Sequence, residues 1–137
     1  MNQSDVASTI VLKHVLYIED SSAEIYLIQE LVERKAIPLC IDFACSLQEA
    51  LDKFDSSKHV LIITDYNLPD AEAPEIAEVF SKECPDIPLI AISGAYTDDR
   101  IQAANNAGIY QCWTKNDLED CLNKAVSFLS KNRDTHH

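Results

Sequence analysis

The chain has almost no glycine: Gly94 and Gly108 are its only two in 137 residues. A loop that wraps backbone amides around a nucleotide phosphate needs several glycines, because only they let the main chain come close enough. That kind of site is excluded. Basic residues are also scarce, 11 Lys plus Arg against 23 acids, for a formal net charge of -12. Such a field repels phosphate backbones, so direct nucleic-acid binding is not expected. No apolar run approaches the roughly 20 residues of a membrane span, so no membrane partner is expected either. The opening residues MNQSDVASTI lack a basic stretch followed by an apolar core, which argues against a secretory signal. The five cysteines, Cys40, Cys45, Cys84, Cys112 and Cys121, form no C-x-x-C pair. Four fall in apolar or amphipathic stretches and read as buried reduced thiols of a cytoplasmic protein. The four histidines are scattered without zinc-ligand spacing, and His136-His137 reads as a tag remnant.

What the chain has is apolar runs that end in polar residues. Residues 14–18 lead to Glu19-Asp20, 60–64 to Asp65, 88–92 to Ser93, and 108–114 to Lys115. Between them lie helical patterns. Ser21-x-x-Glu24 is a capping-box signature, followed at helical spacing by Ile25, Leu27, Ile28, Leu31 and Val32. Pro38 stops that helix before a strand over 39–44, and Ser46 caps a second helix to about Phe54. A strand over 59–64 is followed by the loop Asn67-Leu68-Pro69-Asp70 and a helix with Pro74 near its start. A strand over 89–92 leads to a helix from Asp98 to about Ala107, with Gly108 as its terminator. A fifth strand over 110–114 precedes a last helix from Asp117, with Leu118, Cys121, Leu122, Ala125, Val126 and Leu129 as its buried stripe. Five strands alternating with five helices predict an α/β fold: a doubly wound, five-stranded parallel sheet, flavodoxin-like (βα)5. The expected organisation is a polar lead-in over 1–11, one domain over 12–131 and a polar tail over 132–137.

In such a sheet ligands bind at the carboxyl ends of the strands, where these polar residues would converge. Each has a plain alternative. Asp65 could cap the turn before Pro69, but a carboxylate closing so apolar a strand needs partners, and a carboxylate can also be a phosphoryl nucleophile. Glu19 and Asp20 would suit the N-terminus of the first helix. Beside Asp65, however, the acids would repel one another, and a divalent cation such as Mg²⁺ relieves that repulsion. Lys115 precedes a helix, the wrong end of the dipole for a cation. Its alternative is an ordinary surface lysine; its functional role is a point charge for a phosphoryl oxygen. Ser93-Gly94 is a common turn, in which the hydroxyl can also donate to a phosphoryl oxygen.

This order of residues resembles the receiver domain of two-component response regulators over residues 12–131. The resemblance rests on the acidic pair Glu19-Asp20, Asp65 with Pro69 four residues later, Ser93-Gly94, and Lys115. It implies that Asp65 accepts a phosphoryl group from the phosphohistidine of a sensor histidine kinase or a histidine phosphotransfer domain. It further implies that Glu19, Asp20, Asp65 and the backbone carbonyl of Asn67 hold Mg²⁺, and that Ser93 and Lys115 hold the phosphoryl oxygens. The protein would then be a signalling phosphoacceptor with an unidentified output partner, not an enzyme acting on other substrates. Three positions depart from the family pattern. Cys112 stands where an aromatic switch residue is usual, with Tyr110 on the same strand face as a substitute. Asn116 stands where proline usually follows the lysine, and Ala73 replaces a common glycine. Three other readings compete: a small phosphohydrolase with an aspartyl nucleophile, an FMN-binding flavodoxin-like protein, and a degenerate receiver that docks without being phosphorylated. The first commonly needs an acid where Asn67 stands, and the second needs a glycine-rich loop.

Overall fold

A computed structural model describes residues 12–135, with side chains to residue 131. The lead-in over 1–11 and His136-His137 lie outside the described residues. The elements alternate as β1 (Lys13–Ile18), α1 (Ser22–Arg34), β2 (Leu39–Ala44), α2 (Leu47–Lys53), β3 (His59–Asp65), α3 (Ala73–Glu83), β4 (Leu89–Ser93), α4 (Asp98–Ala107), β5 (Gln111–Thr114) and α5 (Leu118–Thr135).

The strands form one parallel sheet in the order β2-β1-β3-β4-β5, the doubly wound arrangement expected from the alternation. The order reverses between β1 and β3, and their carboxyl ends form the switch point at which ligands bind in such sheets. The central strands are apolar on both sides because both faces are covered. On one face, Leu16, Ile18, Ile62 and Ala91 pack with Ala50 of α2, Ile76 and Phe80 of α3 and Ala104 of α4. On the other, Val15, Tyr17, Ile63 and Ile92 pack with Ile28 of α1 and Leu122 and Ala125 of α5.

The helix starts follow the side chains that cap them. Ser46 Oγ accepts the Glu49 N–H at 3.1 Å. From a distant loop, Asp70 also caps α2: its carboxylate accepts the N–H groups of Leu47 at 3.0 Å and Gln48 at 3.3 Å. Glu72 and Glu75 form a reciprocal box at α3, with Pro74 in the first turn. Thr97 caps α4, and Gly108 ends it in the left-handed region at φ 88°. Asp117 accepts the N–H of Glu119 at 3.0 Å at the start of α5.

Several expectations need correction. The Ser21-x-x-Glu24 box forms only in half. Ser21 Oγ accepts the Glu24 N–H at 3.2 Å, but the Ser21 N–H donates to Glu19 Oε2 at 3.1 Å instead of to Glu24. Leu27 is exposed beside Tyr26, not part of the inner stripe of α1. Tyr110 precedes β5, is 56% exposed, and lays its ring on Phe128 of α5 with centroids 5.1 Å apart. Strand alternation does not reach it, so it does not share the Cys112 pocket. The cysteines are free, but only Cys121 is buried, and Cys45 is exposed at the end of its strand. Helix α5 continues through Thr135 into the stretch read as a tail. The Lys115–Asn116 peptide is trans, as are all described peptides.

Candidate functional site

Backbone register brings the acids together. Ile18 pairs with Thr64, and Asp65 pairs with Ile92, so β1 and β3 end side by side. The chain leaves β1 at Glu19, whose N–H donates to the Ala44 carbonyl at 2.8 Å and turns the residue inward. Glu19 is 1% exposed, Asp20 beside it is exposed, and Asp65 is half-buried. Each offers a carboxylate oxygen, and these three oxygens lie within 4.8 Å of one another. Among the described residues, no hydrogen-bond donor takes the Asn67 carbonyl two residues after Asp65.

Lys115 arrives from the far side of the sheet. Its N–H donates to the Ser93 carbonyl at 2.7 Å, which fixes the end of β5 against β4. Its ammonium reaches Glu24 Oε2 at 2.8 Å, Glu19 Oε1 at 3.1 Å and Asp65 Oδ2 at 3.6 Å. In the sequence Glu24 carries only a capping signal. Its second role depends on α1 lying beside the end of β5, a long-range contact that no local pattern announces.

The charges perturb one another. Burial, with the Glu24 carboxylate alongside, pushes the Glu19 carboxyl up to about 7 despite the pull of Lys115. Glu24 is held below the usual carboxylate range by the Glu19 carboxyl beside it and by Lys115. Burial raises Asp65, with Lys115 and the backbone N–H of Asn67 opposing it. Burial would lower the Lys115 ammonium, but Glu24, Glu19 and Asp65 outweigh it and hold the group above its ordinary value. Perturbation of this kind concentrates at functional sites.

Ser93 is buried at the end of β4, and its hydroxyl donates to the Ala95 carbonyl at 2.9 Å. It must turn to serve any ligand at Asp65. Arg100, in the first turn of α4, was also missed. Its guanidinium stacks over Tyr66 at 4.7 Å and reaches the Asn67 side-chain oxygen at 3.1 Å once the Asn67 amide is turned to donate to Glu72. Behind Asp65, Tyr66 and Tyr96 meet edge to face at 5.9 Å and pack on the same cluster as Cys112. The Tyr96 hydroxyl is buried there without a hydrogen-bond partner.

This arrangement can hold a hard divalent cation on oxygen ligands and stabilise a phosphoryl group on Asp65. No curated protein matches the chain. A CheY-like response regulator receiver domain protein from Methanospirillum hungatei JF-1 is similar in structure, with TM-score 0.78, 24% identity, and coverage of 91% of this chain and 99% of that one. The signal receiver domain of an HD domain-containing protein from Pseudomonas fluorescens Pf-5 gives TM-score 0.77 and 21% identity, over 90% and 99% of the two chains. The chemotaxis response regulator CheY4 of Vibrio cholerae gives 0.73 and 18%, over 85% and 98%. These likenesses show the fold. The model of the response regulator receiver domain matches residues 15–127, and the chain belongs to that family.

Proposed function

We propose that Asp65 accepts a phosphoryl group from a phosphohistidine, on a sensor histidine kinase or a histidine phosphotransfer domain, in a Mg²⁺-dependent reaction. The observation that carries this reading is the meeting of Glu19, Asp20 and Asp65 within 4.8 Å, with the Lys115 ammonium 3.6 Å from Asp65. Three acids offset by one nearby lysine fit a small hard cation. Glu19, Asp20, Asp65 and the Asn67 carbonyl would hold it. Once bound, Mg²⁺ supplies positive charge for the phosphoryl oxygens.

The protein's own groups do the rest. An Asp65 oxygen attacks phosphorus, the phosphorus–nitrogen bond breaks, and its electron pair leaves on the imidazole. Lys115 moves from Asp65 to a phosphoryl oxygen, and Ser93 turns its hydroxyl from Ala95 to another. The work is positioning and electrostatics, as in other phosphoryl transfers. The new bond to Ser93 would shift the loop over 94–97 and alter a protein-interaction face. The net charge of -12 keeps nucleic acid away, and no described helix is long and apolar enough to cross a membrane. A cytoplasmic signalling role fits these properties.

A second reading has one observation in its favour: Lys115 lies closer to Glu24 than to Asp65. A receiver frozen in that state would dock without being phosphorylated. Incubation with acetyl phosphate and Mg²⁺, followed by intact-mass measurement, decides between them. We expect a phosphoryl adduct in the wild type and none in Asp65→Asn. An adduct that survives the substitution rejects Asp65 as acceptor. A wild type that never labels favours docking.

A further inference from the structure

Glu24 has no part in the cation group, yet it makes the shortest contact that Lys115 has. An ammonium has three N–H donors, and three carboxylates surround this one. Two of the three, Glu19 and Asp65, also belong to the acids that meet within 4.8 Å. A cation entering that group draws both toward itself, leaving Glu24 as the partner not in demand elsewhere. Its place is well defined. Glu24 lies in the first turn of α1, its N–H held by Ser21 Oγ at 3.2 Å, and its side chain is only 30% exposed.

We propose that Glu24 is a positioning residue that holds the Lys115 ammonium at the edge of the site while the other acids take the cation. The proposal rests on the reading of Asp65 as phosphoacceptor. The acids are thereby divided: three serve the metal and one serves the lysine. Without Glu24, the lysine falls back on Glu19 and Asp65. It then competes with the cation for both, and it neutralises the nucleophile.

The test uses the full chain in four forms: wild type, Glu24→Gln, Lys115→Ala and the double variant. Labelling by acetyl phosphate with Mg²⁺ should slow about tenfold in Glu24→Gln, within the coupling range of side chains in contact. In the Lys115→Ala background, the same substitution should cost less than about twofold. Glu24→Asp, which keeps the charge on a shorter stem, should recover part of the rate. An equal loss with and without Lys115 would mean that Glu24 acts through helix α1 or net charge, and the proposal fails.

A second measurement is independent of labelling. In the metal-free wild type, the paired Lys115 ammonium should give a slowly exchanging ¹⁵N side-chain signal, identified by its loss in Lys115→Ala. The signal should shift and broaden in Glu24→Gln; an unchanged signal overturns the proposal. If the wild type does not label at all, the Asp65 reading fails, and the ammonium signal still decides whether Glu24 holds the lysine.

Discussion

Glu19 is the acid whose surroundings matter most for measurement. Burial pushes its carboxyl from an ordinary 4.5 up to about 7. A raised acid binds its proton more tightly in the folded state than in the unfolded one. The metal-free protein should therefore lose stability as pH rises from about 4.5 through about 7, the interval between those two values. A cation must displace that proton, so Mg²⁺ should bind more tightly as pH rises toward 7 and level off above it. Titrations followed by fluorescence of the buried Trp113 should show this slope, and Glu19→Gln should flatten it. A slope that persists in that variant would assign the proton to another group. If the proposed cation site is right, Asp20→Ala should abolish the Mg²⁺ response itself, because it removes one of the three acids that meet there.

At the level of elements, the two loops behind Asp65 carry the consequence of Cys112. A thiol cannot fill the volume of an aromatic ring, and here the rings of Tyr66 and Tyr96 pack on the same cluster. With beryllofluoride standing in for the phosphoryl group, we expect Ser93 and residues 94–97 to move. Tyr110 should stay on Phe128; an inward swing of its ring would show that expectation to be wrong. Gly108→Ala should cost about 1 kcal/mol from backbone strain alone, because φ is 88° and nothing lies within 4 Å of the added Cβ. Thermal unfolding measures it, and an unchanged midpoint would mean the turn relaxes. Much of this architecture was legible in the sequence because its signals are local: apolar runs, Ser46 and Asp98 at helix starts, Gly108 after one. The gathering of Asp65, Glu19, Asp20, Ser93 and Lys115 at one sheet edge was legible because each ends or follows a strand. The contacts of Glu24 with Lys115 and of Arg100 with Tyr66 and Asn67 were not, because they join segments distant along the chain. Tyr110 was misplaced because period-two alternation was extended one residue past the strand.

Over the whole molecule, a net charge of -12 means that folding compresses like charges. The affinity of a bound divalent cation already includes relief of that repulsion, so its stabilising effect follows from mass action. Mg²⁺ at a hundredfold excess over Kd should add about 2.7 kcal/mol by mass action. Sodium chloride at equal ionic strength gives the baseline for screening, and the difference should vanish in Asp20→Ala. Equal stabilisation by both salts would mean that screening alone is at work. The Asp70 cap on α2 bears on how the molecule distributes motion. It ties the loop after β3 to a helix 22–23 residues earlier in sequence, whereas the loop after Ser93 has no such tether among its described hydrogen bonds. The two loops are thus unequally tethered. Under the proposed phosphorylation of Asp65, the tethered side would serve as anvil and displacement would leave by the other, toward α4 and β5.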